Sequence, residues 1–212
     1  AQFDLPSDTT GLTFDGEYWW MIKQPEETIY CFDYGGDYVT DFPAPAPNPM
    51  GLAWDGEYLW ISCYSGGRDN VRIYQMTIDG STGPYDDFSA YGFAGLTLFQ
   101  NYIATLWETP NLRVNFYTKS GSLVRTLELI PPEGYYEGDT YSISNDDEYL
   151  WVSLHEDFTD YAITGQFDAY TGEYTGVYLS LVAYEGLTSG VWSETFIGLK
   201  SFGNIKAFFQ RR

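Results

Sequence analysis

The chain repeats itself with a period of about 40 residues, and no other feature constrains its fold as strongly. The segment GLTFDGEYWW at residues 11–20 returns as GLAWDGEYLW at residues 51–60. Weaker copies begin at residues 95, 142 and 186. Five units of similar length therefore fill the chain, and each is expected to pack against its neighbours as one supersecondary unit.

Each repeat is strand-like over its whole length. Short runs of Val, Ile, Tyr, Phe and Trp are separated by Gly, Asp, Asn and Pro turn residues. The second repeat divides into four such runs, at residues 51–55, 58–64, 71–78 and 85–91. The Asp-Gly pairs at 15–16 and 55–56 suit tight hairpins, so the first two runs of a repeat pair directly. Four antiparallel strands in each repeat indicate the blade of a propeller.

We therefore predict an all-β fold, a single five-bladed β-propeller domain with four antiparallel strands per blade. The blades are expected near residues 11–50, 51–94, 95–138, 139–184, and 185–212 together with 1–10. The last repeat offers only three strands, whereas residues 1–6 resemble the stretch that precedes Gly51. The N-terminal strand is therefore expected to close the last blade, which removes an open sheet edge.

The charge balance excludes several classes of function. Ten Lys and Arg residues against thirty Asp and Glu residues give a formal net charge of −20. Such a surface repels phosphate backbones, so we expect no nucleic-acid partner, and no apolar run is long enough for membrane insertion. The acidic excess, the few lysines and a first residue other than Met favour a secreted or cell-surface protein, with the periplasm as an alternative. Cys31 and Cys63 are expected to form a disulfide or to remain two buried thiols.

The repeat motif also carries a family resemblance. The pattern Gly-Leu-(Ala/Thr)-x-Asp-Gly-x-Tyr-x-Trp, with the Pro-rich stretch at 43–49, resembles the NHL-like repeats of secreted bacterial propellers. The layout is also similar to that of the five-bladed glutaminyl cyclotransferases of plants and bacteria. The Tyr-Glu-Ser-Thr-Gly stretch of that family corresponds to WISCY at residues 60–64, which has no carboxylate. The resemblance therefore implies the scaffold of these proteins without the catalytic motif of the cyclotransferases.

A comparison of equivalent positions in the repeats distinguishes residues that build the blades from residues that could bind a ligand. A slot that serves only the blade should hold similar residues in every repeat, as the Tyr slot does at 18, 58, 102 and 149. The slots near the end of the second strand vary instead, at the end of the propeller where loops commonly surround an axial pocket. The candidate ligand-binding residues at this end are Lys23, Tyr64, Arg68, Trp107, Glu108, Arg113, His155 and Lys200.

Two kinds of chemistry fit these side chains. His155, with Glu156, Asp157 or Glu108, has the groups of a general acid and base. An aromatic platform at Trp107 with the carboxylate of Glu108 suits sugars or cationic ligands. The structural alternatives are a solvated acidic loop and a Trp that packs between blades.

Positively charged residues are scarce in this chain, and two of them, Arg68 and Arg113, allow two interpretations. Arg68 and Arg113 have the planar donors that clamp a ligand carboxylate, or they neutralise neighbouring acids. Both interpretations stay open at the level of sequence.

Metal binding is a further alternative. Acidic clusters at 86–87, 146–148 and 156–160 offer the oxygens that calcium prefers, without the spacing of an EF-hand. One histidine cannot build a His-based zinc site. No metal site and no cofactor are therefore assigned, and calcium is the one ion left open.

The preferred hypothesis is a non-enzymatic, exported propeller that binds a carbohydrate, a small molecule or a protein at the loop end of its axis. The first alternative is an enzyme, similar to a cyclotransferase, lyase or glycosidase, that uses carboxylates with His155. The second is a structural surface module of a larger assembly. Binding is preferred because phosphate-loop, nucleophile-elbow and zinc-hydrolase motifs are absent from the sequence.

Overall fold

Four antiparallel sheets follow one another along the chain in the computed structural model. The structure describes residues 9–66, 70–92, 95–107, 111–133, 135–136, 142–156 and 162–181, without the side chains of 135–136, 155–156, 162 and 179–181. Each sheet is one blade, and in the first three blades the strands pair in chain order.

The first three blades have four strands each. Blade 1 contains β1 to β4, which are Thr9–Phe14, Trp19–Lys23, Thr28–Phe32 and Tyr38–Pro43. Blade 2 contains β5 to β8, which are Pro49–Trp54, Leu59–Tyr64, Asn70–Met76 and Phe88–Tyr91. Blade 3 contains β9 to β12, which are Leu96–Phe99, Tyr102–Trp107, Arg113–Tyr117 and Leu123–Glu128.

Blade 4 has the same four strands and one addition. A two-residue strand, β13, Tyr135–Tyr136, comes from the connection between blades 3 and 4. The four strands that follow are β14 to β17, which are Ile143–Asn145, Tyr149–Glu156, Ala162–Asp168 and Tyr174–Leu181. Both β13 and β14 pair with β15, so the connection extends the inner edge of this blade.

The repeated aspartate closes the hairpin between the first and second strands. In blade 1, Asp15 accepts hydrogen bonds from the N–H groups of Glu17 and Tyr18 at 2.8 and 2.7 Å, and from the Trp20 indole N–H at 2.7 Å. Asp55 and Asp146 make the same three kinds of contact in blades 2 and 4. The Asp-x-x-Tyr-x-Trp spacing is therefore a structural motif that fixes the turn and the Trp together.

The core lies between the blades. Trp20 of blade 1 packs in one cluster with Leu52 and Ile61 of blade 2, and equivalent clusters join blades 2 to 3 and 3 to 4. The innermost strands β1, β5, β9 and β14 contact each other in that order, so the blades stand around an axis. The loops between second and third strands lie at one end of this axis, here called the loop end. The hairpins that join the first and second strands lie at the other, the hairpin end.

Each described pair of neighbouring blades also meets through a turn glycine. Gly121, in the turn between the third and fourth strands of blade 3, has φ 85°. A Cβ on this glycine would lie 2.6 Å from Phe88 in the outer strand of blade 2. Gly172 of blade 4 abuts the Glu128 carbonyl of blade 3 in the same way. These positions need glycine for both the positive φ and the close approach.

The structure confirms the all-β propeller and the four-stranded blade. β1 begins at Thr9 and β5 at Pro49, two residues before the predicted starts of their blades. The described residues form four blades where five were predicted. The fifth repeat at 185–212 and the N-terminal residues 1–8 lie outside the described residues, so their closure of the ring stays a prediction.

The two cysteines lie in the same core cluster between blades 1 and 2. Both are buried free thiols. Burial raises the pKa of Cys31 to about 11 and that of Cys63 to about 12, so neither is a thiolate near neutral pH. The described part of the chain contains no helix with the length and apolar character that a membrane crossing requires.

Candidate ligand-binding site

The predicted ring of residues lies on equivalent strand ends. Lys23 ends β2, Tyr64 ends β6, Trp107 ends β10, and His155 is the last but one residue of β15. All four therefore lie at the loop end. The side chains of His155 and Glu156 are outside the description, as are residues Arg68, Glu108, Asp157 and Lys200. The proposed acid and base pair therefore stays a prediction.

On blade 1, the predicted ligand-binding residue Lys23 is already paired with a residue of its own blade. Lys23 forms an ion pair with Glu26, which also accepts a hydrogen bond from the Tyr30 hydroxyl. The hydrogen bonds from Lys23 and Tyr30 lower the pKa of Glu26. On blade 2, the Tyr64 backbone N–H donates to the Asn48 carbonyl at 2.9 Å. These contacts hold the ends of two second strands.

An aromatic shelf formed by Tyr91, Trp107 and Arg113 lies between blades 2 and 3 at the loop end. Tyr91 ends β8, and Trp107 and Arg113 are register partners on β10 and β11. The Tyr91 and Trp107 rings stack with centres 5.6 Å apart and planes 26° apart. The Arg113 guanidinium lies 5.7 Å from the Trp107 ring centre. Tyr91 is 54% exposed, so the shelf is open to solvent.

Three buried polar side chains of blade 3 hold the backbone of Tyr91. Its N–H donates to the Tyr117 hydroxyl at 2.9 Å. Its carbonyl accepts from the Thr105 hydroxyl at 2.6 Å and from the Asn115 amide at 3.3 Å. Thr126 in turn donates to the Asn115 carbonyl oxygen at 2.7 Å. Burial raises the pKa of Tyr117, against the smaller effect of the Tyr91 N–H, so the phenol remains neutral.

The three residues that hold Tyr91 occupy slots that are mostly apolar in the other blades. The strand registers place Thr105 of blade 3 at the slot of Met21, Ile61 and Val152. They place Tyr117 at the slot of Phe32, Met76 and Phe167. The third member, Asn115, stands where the other blades have Tyr30, Tyr74 and Gly165. The blade itself does not need these polar groups, so they distinguish the interface of blades 2 and 3.

The charge of Arg113 is not neutralised by its cross-strand neighbour. Glu128 is its register partner on β12, yet the Glu128 carboxylate accepts from the Asn111 amide at 2.7 Å. Of the described lysines and arginines, three form ion pairs, and Arg125 donates to the Ala169 carbonyl. Arg113 is the one cation in the described part of the chain whose contact is with a ring alone.

A cavity of about 500 Å³ lies on the axis at the opposite, hairpin end. It is lined by the ends of the inner strands and by the hairpin residues Asp15, Asp55 and Gln100, among others. Lys23, Tyr64, Trp107 and Arg113 do not line it. The cavity therefore lies at the end of the axis away from the predicted site.

The carboxylates beside this cavity have structural roles. Asp55 forms an ion pair with Lys119 of blade 3 at 2.6 Å. Burial works to raise the pKa of Asp55, but Lys119, the Trp60 indole and two backbone N–H groups together hold that pKa below its usual value. Within the described ranges, no group of three or more His, Cys, Asp or Glu side chains is placed to hold a metal ion.

Sequence reasoning missed Tyr91 and the three residues that hold it. The available signal was the loss of an apolar residue at Thr105, where three other repeats have Met21, Ile61 and Val152, and of a tyrosine at Asn115, where two other repeats have Tyr30 and Tyr74. A comparison of third-strand slots across the repeats finds it, whereas a search of second-strand ends finds only Trp107.

The comparisons with known proteins agree on the fold. No protein-family model and no curated protein matches the chain. Among solved structures, it is similar to the hydrazine synthase of Kuenenia stuttgartiensis, with 15% identity over 85% of this chain and 51% of that chain, at a TM-score of 0.53. It is also similar to the Cps50 (Swd1) β-propeller domain of Myceliophteria thermophila, with 14% identity over 81% of this chain and 55% of that chain, at a TM-score of 0.50. The chain spans about half the length of these structures, and the likeness establishes the β-propeller fold.

Proposed function

We propose that the chain is a non-enzymatic binding propeller whose ligand occupies the aromatic shelf. The observation that carries this proposal is the grip of Thr105, Asn115 and Tyr117 on the backbone of Tyr91. Binding surfaces gain affinity when their contact residues are fixed before the ligand arrives. An exposed tyrosine held by three buried hydrogen bonds meets that condition.

The burial of these polar groups needs a reason beyond folding. A buried polar group that loses its partner costs about 1–3 kcal/mol, while apolar residues of similar shape carry no such risk. Blades 1 and 2 fill the equivalent interface with Met, Ile and aromatic residues. The polar groups of blade 3 therefore serve to fix the backbone of Tyr91.

The other predicted site residues extend the same proposal. Arg68 precedes Asn70, the register partner of Tyr91, by two positions in the chain, and Glu108 follows Trp107 directly. We therefore keep both among the proposed ligand-binding residues. Lys23, Tyr64 and His155 lie at strand ends of other blades at the loop end. We propose that these three residues, with Lys200 of the fifth repeat, belong to the wider ligand-binding surface.

The propeller is proposed to close with a fifth blade built from residues 185–212 and the N-terminal strand. Blade 1 presents a flank of Leu12, Trp19 and Met21, packed with Phe14, Tyr30 and Phe32. The matching residues of blade 2 are buried against blade 1. Blade 1 therefore carries a ready interface for a preceding blade. Gly36, with φ 91°, occupies the turn slot through which blades 2 to 4 meet the blade before them.

We also propose that the chain is exported and acts outside the cytoplasm. The net charge of −20 and the small number of lysines support it, and they also disfavour phosphate-rich partners. We therefore propose a secreted or surface-located binding protein. The exposed ring of Tyr91, stacked on Trp107, suits a carbohydrate as its ligand class.

The proposal is tested by thermal shift with a panel of defined oligosaccharides. A ligand that binds only the folded state raises the melting temperature. We expect at least one oligosaccharide to do so for the wild type and for Tyr178→Ala, an exposed tyrosine of β17. The shift should be lost in Tyr91→Ala. A panel without any shift, or a shift that persists in Tyr91→Ala, would contradict the proposal.

A further inference from the structure

We infer that the shelf takes a glycan that bears carboxylates, with a sugar ring stacked on Tyr91 and a carboxylate paired with Arg113. The inference rests on the proposed function, because it names the ligand class of the same surface. Its three supports are the exposed ring, a guanidinium that no described carboxylate neutralises, and the open shape of the shelf.

The exposed ring supplies the apolar contact. Trp107 stacks against Tyr91, and Tyr91 still exposes 54% of its surface. Aromatic side chains bury a large area with little loss of conformational freedom, and a tyrosine also keeps a hydroxyl in water. The C–H face of a sugar ring matches such a surface, with its hydroxyl groups directed outward. A stacked, backbone-anchored tyrosine is therefore suited to one sugar unit.

The guanidinium of Arg113 supplies the charge. Glu128 lies directly opposite in the strand register but bonds to Asn111, and the guanidinium contacts the ring of Trp107. Among the described residues, no carboxylate forms an ion pair with Arg113. An arginine fork matches a carboxylate with two parallel hydrogen bonds. Arg113 is therefore available to an anionic group that arrives with the ligand.

A carboxylate fits this setting better than a phosphate. Phosphate recognition uses clusters of arginines, whereas Arg113 is the single cation of the described shelf. The Asn111 amide and the Glu128 carboxylate next to it offer donors and acceptors for sugar hydroxyls.

The shape of the shelf favours a polymer. Sites for small molecules are concave and bury most of the ligand, whereas Tyr91 lies exposed at the end of the outer strand of blade 2. An acidic peptide added as a strand would need a long free edge. The outer strand β8 is only four residues long, Phe88–Tyr91. An extended glycan laid across the loop end fits this surface best.

The test compares one glycan in two charge states. Calorimetry would measure the binding of a galacturonic acid trimer and of its fully methyl-esterified form. The wild type should bind the acid about tenfold more tightly, the effect of one hydrogen-bonded charge at an exposed site. Arg113→Gln should reduce the affinity for the acid to that for the ester, and Arg113→Lys should lie between. Arg72→Gln is the matched control, because Arg72 already pairs with Asp87.

The outcomes separate this inference from the proposed function. Equal affinities of the wild type for acid and ester, or an unchanged preference in Arg113→Gln, would overturn the charge assignment. Loss of binding in Tyr91→Leu would in that case still support the shelf. Binding that survives Tyr91→Leu would overturn both. A wild type that binds neither trimer would overturn this inference alone, because the oligosaccharide panel tests the proposed function. A poly-glutamate peptide that competes with equal affinity would overturn the glycan class. Melting temperatures of all variants verify that they are folded.

Discussion

Two neighbouring interfaces of the propeller, between blades 1 and 2 and between blades 2 and 3, differ in polarity at equivalent positions. The first is a cluster of Trp, Ile, Leu, Cys and Phe side chains. The second has its own apolar cluster, but Thr105 and Asn115 add buried hydrogen bonds at one end and Lys119 pairs with Asp55 at the other. The difference shows that two blades can pack together without the hydrogen bonds that Thr105 and Asn115 make. Polar groups at these slots therefore mark a position that something else requires.

The largest expected effect comes from making the apolar interface polar. Ile61→Thr in blade 2 copies the residue that blade 3 has at this slot. It removes apolar atoms from a fully buried site and leaves a hydroxyl without the Tyr91 carbonyl that Thr105 uses. We expect a loss of about 2–4 kcal/mol in the free energy of unfolding, measured with urea. A loss no larger than that of Thr105→Val would show that the slots are equivalent.

A smaller effect is expected from the ion pair at the hairpin end. The folded-state pKa of Asp55 lies below its ordinary value of 3.8. Its ionised form therefore contributes stability above that value, and the contribution is lost as the pH falls through the lower, folded-state pKa. Lys119→Met should lose about 1–2 kcal/mol at pH 7, and the difference from the wild type should shrink at pH 3. Urea unfolding at both pH values checks this.

The pH experiment has a matched counterpart in blade 2. Ile78 occupies the turn slot of Lys119 and is 50% exposed. Ile78→Lys should therefore bring a cation near Asp15. A difference between wild type and Lys119→Met that stays constant from pH 7 to pH 3 would contradict the assignment of this pair.

A third interface is the one between blade 4 and the proposed fifth blade, which lies outside the described residues. Ser142, Ser153 and Thr164 are buried, and their hydroxyls have no hydrogen-bond partner among the described residues. If residues 185–212 form the proposed fifth blade and supply partners, Thr164→Val should lower stability by about 1 kcal/mol. Thermal unfolding shows whether Thr164→Val is less stable or more stable than the wild type. A stabilised Thr164→Val would mean that the hydroxyl has no partner in the native protein.

The smallest expected effect is that of salt on the acidic glycan. The net charge of −20 repels an acidic trimer over a distance that shrinks from about 30 Å at 0.01 M salt to about 8 Å at 0.15 M. The short contact with Arg113 is screened less. Affinity for the acid trimer should therefore rise about twofold over this range, while that for the ester stays constant. A fall in acid affinity with salt would indicate a locally basic site.

The repeat made most of the fold predictable. The Asp-x-x-Tyr-x-Trp spacing marks the hairpin of three blades, and the strand runs of the second repeat match β5 to β8. The site was only partly predictable. Trp107 and Arg113 are visible at strand ends, but the role of Tyr91 depends on contacts from blade 3 that lie 14 to 26 residues later in the chain. No local pattern encodes such contacts.

The most direct test of the account is the affinity of Thr105→Val/Asn115→Leu for the oligosaccharide that the wild type binds. The double variant keeps the shelf residues and removes two of the three hydrogen bonds that fix Tyr91. The control is Ser62→Ala. This change removes a buried hydroxyl of blade 2 that accepts a hydrogen bond from the Gly51 N–H at 2.8 Å. We predict at least a tenfold loss of affinity in the double variant and none in the control, with both folded. An unchanged affinity in the double variant would contradict the claim that blade 3 is built to hold Tyr91.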